Sequence, residues 1–209
     1  MHTMKSETRQ HRTERGPGRP REFDLEQALD RAIKIFSVQG YNGTSISDLA
    51  HAMQVTAGSL YKAFPDKRAI FMGAFDRYVA VRQEKLGKRL ASMLTGRDKI
   101  QAILSHYAEF SHGVEGRQGC LVVGSAVELA GVDPEIAARV AQTLGRYEQR
   151  FEHLIQEGRL DGSIPADVEP KSIAPLLVCI TQGMRVMGKI GRSAAKTRTL
   201  AVSAMKLIT

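Results

Sequence analysis

The sequence predicts an all-α protein of about nine helices, with a small three-helix unit near the N-terminus and a larger helical region behind it. Three observations carry that expectation. Apolar residues recur at three- and four-residue spacing along most of the chain, and Gly, Pro and Asp punctuate these stretches. No run alternates as a half-buried strand does, and no internal repeat or low-complexity tract interrupts the pattern. Of the 209 residues 43% are apolar, enough to bury a sizeable core.

Residues 1–20 form a polar, basic tail carrying Lys5, Arg9, Arg12, Arg15 and Arg19, with too few apolar groups to fold alone. The first helix opens at Phe23 or Asp24, and its stripe of Leu25, Ala28, Leu29, Ala32, Ile33 and Phe36 ends at Gly40. Ser45 caps the second, with Asp48 placed as in a capping box and Ile46, Leu49, Ala50 and Met53 on one face. After Gln54 and Val55, Thr56 caps a third helix running to Phe64, which Pro65 and Asp66 close. Ile70, Phe71, Ala74, Phe75, Tyr78 and Val81 continue at helical spacing in a long fourth helix. Ile100, Ile103, Leu104, Tyr107 and Phe110 mark the fifth, Val114 to Gly119 reads as a Gly-rich charged loop, and Cys120 to Ala130 as a short sixth. Asp133, with Pro134 at the first helical position, starts the seventh, which runs toward Gly158. A loop at Asp161, Gly162 and Pro165 separates it from an eighth over roughly Pro170 to Ile190 and a ninth over roughly Ala194 to Ile208.

Thr44 to Phe64 is the stretch that speaks to function, because two short helices joined by a tight turn make a device for reading DNA. A recognition helix enters the major groove by its N-terminal end, where backbone and short side chains must come close to bases and phosphates. Ala57, Gly58 and Ser59 allow that approach. The alternative is an ordinary helical hairpin inside a core.

These residues carry a specific resemblance. Gly18 to Lys67 resembles the DNA-binding domain of the tetracycline-repressor (TetR) family of bacterial transcription regulators. It shares the Phe-x-x-x-Gly-Tyr-x-x-Thr-Ser run of Phe36 to Ser45, the Gly-Ser-Leu-Tyr of Gly58 to Tyr61, and Phe64 followed by Lys67. Beyond it the chain agrees with the family in length, helicity and order of elements. The resemblance implies an arm over residues 1–20, a helix-turn-helix domain over 21–68 and a ligand-binding and dimerisation domain over 69–209. It implies a homodimer on a palindromic double-stranded operator, released by an unknown small-molecule effector, with the fourth helix as the lever between the two.

By position in the motif, Thr44 and Ser45 are expected at phosphates, Thr56, Ala57, Gly58, Ser59 and Lys62 at the groove, and Tyr61 and Lys67 at backbone phosphates. Lys62 is the best candidate for a base contact, since Lys donates to guanine O6 and N7; a phosphate or solvent is its alternative. Arg19 and Arg21 resemble the arginine arms that lie in narrow minor grooves, a solvated tail being the bland reading. Two departures stand out. Family members commonly carry Gly in the turn where this chain has Gln54, and His or Tyr where it has Ala63. A non-Gly residue at positive φ costs about 1 kcal/mol.

The eighth helix is apolar on more than one face, with Ile173, Leu176, Leu177, Val178, Ile180, Met184, Val186 and Met187, so it needs cover from two sides. In the family the last two helices pair with their copies in a second subunit; the alternative is complete burial inside one subunit, which would show as a monomer in solution. The family also places a ligand pocket among the fourth to eighth helices, and Tyr107, Phe110, Cys120, Val123, Val127, Tyr147, Phe151, Gln182, Met184 and Met187 are its candidate lining here, each with plain core as the alternative. Cys120, at a helix start, is a candidate thiolate switch for oxidants or electrophiles, against a small buried hydrophobe.

Other classes find little support. The net charge of +8 fits a polyanionic partner, but the first 68 residues hold 11 Lys or Arg against 8 Asp or Glu, so total charge does not locate a DNA site. Two distant cysteines, Cys120 and Cys179, make no disulfide framework and fit a reducing bacterial cytoplasm. The polar start has no apolar core of a secretory signal, and no apolar run reaches membrane length. His106, Glu109 and His112 offer no close ligand pair for a metal, and no nucleophile-base spacing or phosphate loop points to an enzyme or a cofactor. The rival to a ligand-released repressor is a ligand-blind architectural protein that organises the chromosome.

Overall fold

A computed structural model describes residues 24–209. Ten helices follow in order: α1 (Leu25–Gln39), α2 (Ile46–Met53), α3 (Ala57–Ala63), α4 (Lys67–Leu90), α5 (Gly96–Glu109), α6 (Gly113–Gln118), α7 (Leu121–Glu128), α8 (Pro134–Leu160), α9 (Pro170–Lys189) and α10 (Ala194–Ala204), closed by a 3-10 turn over Met205–Ile208. No strand occurs among the described residues.

Side-chain caps set most of the starts. Asp24, Thr56, Asp66, Thr95, Asp133 and Ser193 each accept a bond from an amide in the first turn of the helix that follows. At α2 the box is complete: Ser45 Oγ accepts from Asp48 N, and Asp48 Oδ2 accepts from Ser45 N at 2.9 Å. Each such cap contributes about 1 kcal/mol.

One expectation fails. Val114 to Gly119, read as a loop, winds into α6. Gly116 explains it: a Cβ there would stand 2.8 Å from the Ser111 carbonyl carbon, so only glycine lets this turn settle against the end of α5 and against Gly188 of α9. Packing overrides the weak helix propensity of the segment.

Two hydrophobic cores divide the molecule. The first joins α1, α2, α3 and the front of α4 through Leu29, Phe36, Leu49, Met53, Leu60 and Phe71, then runs on into Leu121 and Val122 of α7 and Ile136 and Val140 of α8. The N-terminal head is therefore welded to α7 and the start of α8. The second core gathers Leu86, Ile100, Leu104, Phe151, Ile155, Leu177 and Met184 among α4, α5, α8 and α9. Arg68 reinforces the first junction from outside, its guanidinium fork meeting Asp133 at 2.6 and 2.9 Å and reaching Glu135 at 2.7 Å. That fork, with the helix-start amides, holds the Asp133 carboxyl well below the usual carboxylate range.

Candidate nucleic-acid interface and regulatory cavity

The third helix is anchored by one side chain and exposed elsewhere. Leu60 is buried in the head core, while Thr56, Ala57, Gly58, Ser59, Tyr61 and Lys62 all face outward. Tyr61 is 56% exposed, unusual for an aromatic ring with a core beside it. The turn before this helix is tight because Gln54 adopts the left-handed conformation, φ 59° and ψ 43°. Its amide reaches His51 O and the Val55 amide reaches Ala50 O, the paired bonds of a Schellman ending. Arg31 Nη1 donates to Met53 O and closes the same end from α1.

Not every residue expected at the DNA is free to reach it. Thr44 is 1% exposed and its hydroxyl donates to Gly40 O at 2.6 Å, so its side chain is a structural tie in the α1–α2 loop. Lys67 Nζ donates to the carbonyls of Tyr41 and Thr44 at 3.0 and 3.1 Å and lies 4.2 Å from the centre of the Tyr41 ring. That ammonium holds the loop together instead of projecting toward a phosphate. Ser45 remains exposed at the start of α2. Arg19 and Arg21 lie outside the described residues.

The same loop is gripped from the C-terminal region. Glu128, at the end of α7, accepts from the amides of Tyr41 at 2.9 Å and Asn42 at 2.7 Å. Gly40 makes room for it: its φ is 78°, and a Cβ would stand 2.7 Å from a Glu128 oxygen. Lys189, at the end of α9, donates to the carbonyls of Ser37, Val38 and Gln118. Two charged side chains of the larger region thus hold the end of α1 and the chain leading into α2.

A small cavity of about 20 Å³ lies behind this junction, among α4, α5, α8, α9 and the start of α7. Five of the ten expected residues line it: Tyr107, Phe110, Cys120, Tyr147 and Gln182. The other five do not. Val127 is 85% exposed on α7, Phe151 and Met184 are packed into the second core, and Val123 and Met187 are half-buried away from the cavity wall. Sequence reasoning missed Tyr78, Arg82, Gln83, Leu86, His106 and Arg185. For Arg185 a signal was available, a cation between the apolar Met184 and Val186, away from the helix ends where Lys171 and Lys189 stand.

Electrostatically the cavity is cationic. Arg82 sits 4.5 Å from the Tyr78 ring centre and 4.9 Å from that of Phe110, Arg185 is 2% exposed, and no Asp or Glu lines the walls. His106 is pushed down to about 4, by burial first and then by the nearby charges of Arg89 and Arg82. Burial raises the hydroxyls of Tyr78, Tyr107 and Tyr147 above the ordinary phenol value. Cys120 occupies the position just before α7, where its sulfur accepts from Tyr78 OH at 3.3 Å, and both cysteines are free thiols. Among the described residues no group of three or more His, Cys, Asp or Glu is placed to hold a metal, and no helix is long and apolar enough to cross a membrane.

On the outer face of α9, Leu176, Cys179, Val186 and Ile190 are exposed with half-buried Gly183 among them. Their spacing of three and four residues alternates as in the seam of a coiled coil.

Comparisons with known proteins agree with this architecture. Residues 28–73 match the profile described as bacterial regulatory proteins, tetR family, and residues 96–203 match the tetracyclin repressor-like C-terminal domain. The HTH-type transcriptional repressor ComR of Escherichia coli (strain K12) is 27% identical over 194 residues, 91% of each chain. The HTH-type transcriptional repressor DhaR of Mycobacterium sp. (strain GP1) is 24% identical over 168 residues, 80% of this chain and 83% of that one. Among solved structures, a cysteine mutant of the TetR-family transcriptional regulator CifR, complexed with 26-base-pair operator DNA, superposes with a TM-score of 0.78 at 27% identity, covering 90% of this chain and 98% of that one. With a helix-turn-helix head and a C-terminal match spanning half its length, the chain belongs to the TetR family of bacterial DNA-binding transcription regulators.

Proposed function

We propose that the protein is a homodimeric repressor of the bacterial cytoplasm that binds a palindromic operator and lets go when a small molecule occupies the cavity. It works by binding alone, without turnover. The observation that carries this reading is the outward display of Thr56, Ala57, Gly58, Ser59, Tyr61 and Lys62 on a helix held by Leu60. Ser59 and Lys62 meet base edges, and Tyr61 and Ser45 meet phosphates. Phosphate contacts fix register and give salt-sensitive affinity, whereas base contacts give sequence preference.

The apolar seam on α9 supports pairing with a second copy, which sets two heads at the roughly 34–36 Å between successive major grooves. A cationic cavity connected to the head by Glu128 and Lys189 favours a ligand-responsive protein over an architectural one.

Fragments selected from genomic DNA by the native protein supply the operator for the test. Ser59→Arg and Tyr61→Ala are each expected to weaken its retention in a gel by tenfold or more, on the order of 1.4 kcal/mol, while light scattering still reports a dimer. Unchanged affinity in both variants refutes the assignment of the reading helix, and a monomer in the native protein refutes the pairing.

A further inference from the structure

We propose that the cavity is a site for a small organic carboxylate, with Arg185 as its anchor and Arg82 as a second cation. The inference rests on the ligand-released reading and names the effector's chemical class. Arg185 is the argument. It is 2% exposed one turn before the end of α9, its Nη2 donates to Gly119 O at 2.6 Å, and its Nε and Nη1 have no partner among the described residues. Buried charges are ordinarily paired, because removing a cation from water without compensation is costly. Among the described residues no carboxylate answers it: Arg185 makes no ion pair there, and the cavity it lines contains no Asp or Glu. The protein thus keeps a buried, partly unpaired guanidinium at the edge of a space with aromatic walls and a second arginine.

A carboxylate supplies what is missing. It accepts from the open N–H groups of Arg185, the pairing for which a guanidinium is best shaped. The rings of Tyr107, Phe110 and Tyr147 suit an apolar or planar body attached to that group. Neutral His106 and the raised tyrosine hydroxyls put no negative charge in its way. The present space, about 20 Å³, has room for little more than one water, so any organic carboxylate, even acetate, must push the walls apart. That requirement gives the acid a preference for a different arrangement of the helices that wall the cavity, the differential affinity on which release depends.

The test uses the full-length dimer and four probes at constant ionic strength: sodium benzoate and sodium propionate, with benzamide and propionamide as uncharged partners of matching shape. Isothermal titration is expected to give acids at least tenfold tighter than their amides, and Arg185→Gln to erase about tenfold of that preference, the scale of one charge-assisted hydrogen bond. Arg185→Lys, which keeps the charge but not the fork, retains part of the preference and serves where the Gln variant fails to fold. Equal binding of acid and amide, acid binding that survives in Arg185→Gln, or no binding by either acid, as a cavity that takes only water would give, each overturns the proposal. Operator retention is read on the same samples. An acid that binds through Arg185 without releasing DNA leaves the carboxylate site standing and refutes ligand release instead.

Discussion

Gln54 holds a conformation that glycine would adopt more cheaply, and replacing it isolates the cost. Its φ of 59° and ψ of 43° place it in the left-handed region, where the Cβ of an ordinary residue crowds the following carbonyl. That crowding costs roughly 1–2 kcal/mol. The side chain is exposed and makes no hydrogen bond among the described residues that would repay it. Gln54→Gly removes the strain but frees the unfolded chain, an opposing effect of about 0.4–1 kcal/mol. A net gain of about 0.5–1 kcal/mol remains, or roughly 1–4 °C in the melting temperature of a domain this size. Gln54→Val moves the other way by at least as much, because a β-branched residue is a genuine outlier there. The assay is thermal melting without DNA at one fixed protein concentration, since dimer stability depends on concentration. A Gly variant that melts below the parent, or a Val variant that matches it, refutes the reasoning.

Glu128→Ala removes the acceptor of the Tyr41 and Asn42 amides, so hydrogen exchange at those two positions should accelerate by about tenfold while α8 keeps its protection. Unchanged exchange would place the hold on the loop elsewhere, with Lys67 the first alternative. For His106 the sign is set by a folded value near 4 against about 6.5 unfolded. Its contribution to stability is complete above pH 6.5 and declines as the unfolded chain takes up the proton toward pH 4, by up to about 3 kcal/mol. His106→Asn should therefore reduce the loss of urea resistance between pH 6.5 and 4, and parallel pH profiles for the two proteins would refute the burial argument.

Local chemistry was legible in the sequence, and long-range partnership was not. The caps at Asp24, Ser45, Thr56 and Asp133 lie within three residues of the amides they serve, so sequence spacing alone identifies them. The strained turn at Gln54 was signalled differently, by the family resemblance, in which glycine commonly holds this position. Thr44 and Lys67 misled because their partners, Gly40, Tyr41 and Thr44 itself, turn them inward through a loop whose shape depends on Glu128. Val127 misled because α7 is only eight residues long and turns that side chain to solvent. The apolar profile of the α9 segment drew attention to its two faces, one of which is buried and the other exposed, yet the residue that distinguishes the cavity is the cation within it, Arg185.

The spacing of two cations along α9 suggests how occupancy could reach the head. Arg185 lines the cavity and holds Gly119 O; Lys189, one helical turn on, holds Gln118 O together with the last carbonyls of α1. The chain between them and the loop before α2 is short, running from Gly119 through α7 to Glu128. A ligand that claims the guanidinium and needs more than 20 Å³ must displace one of the walls, and α9 and the start of α7 are the walls tied to the head. A displacement of α9 or of the start of α7 acts on the end of α1 through Lys189 and Glu128, and the first core continues across the junction from Leu60 to Val140. In such a packed junction a small movement is not absorbed locally but changes the angle of the whole head. Two heads that must meet grooves roughly 34–36 Å apart tolerate little such change. Each 1.4 kcal/mol by which the ligand prefers the displaced arrangement lowers operator affinity about tenfold. The welded junction therefore serves regulation better than a free hinge would, since a hinge would leave the DNA-binding geometry indifferent to what fills the cavity.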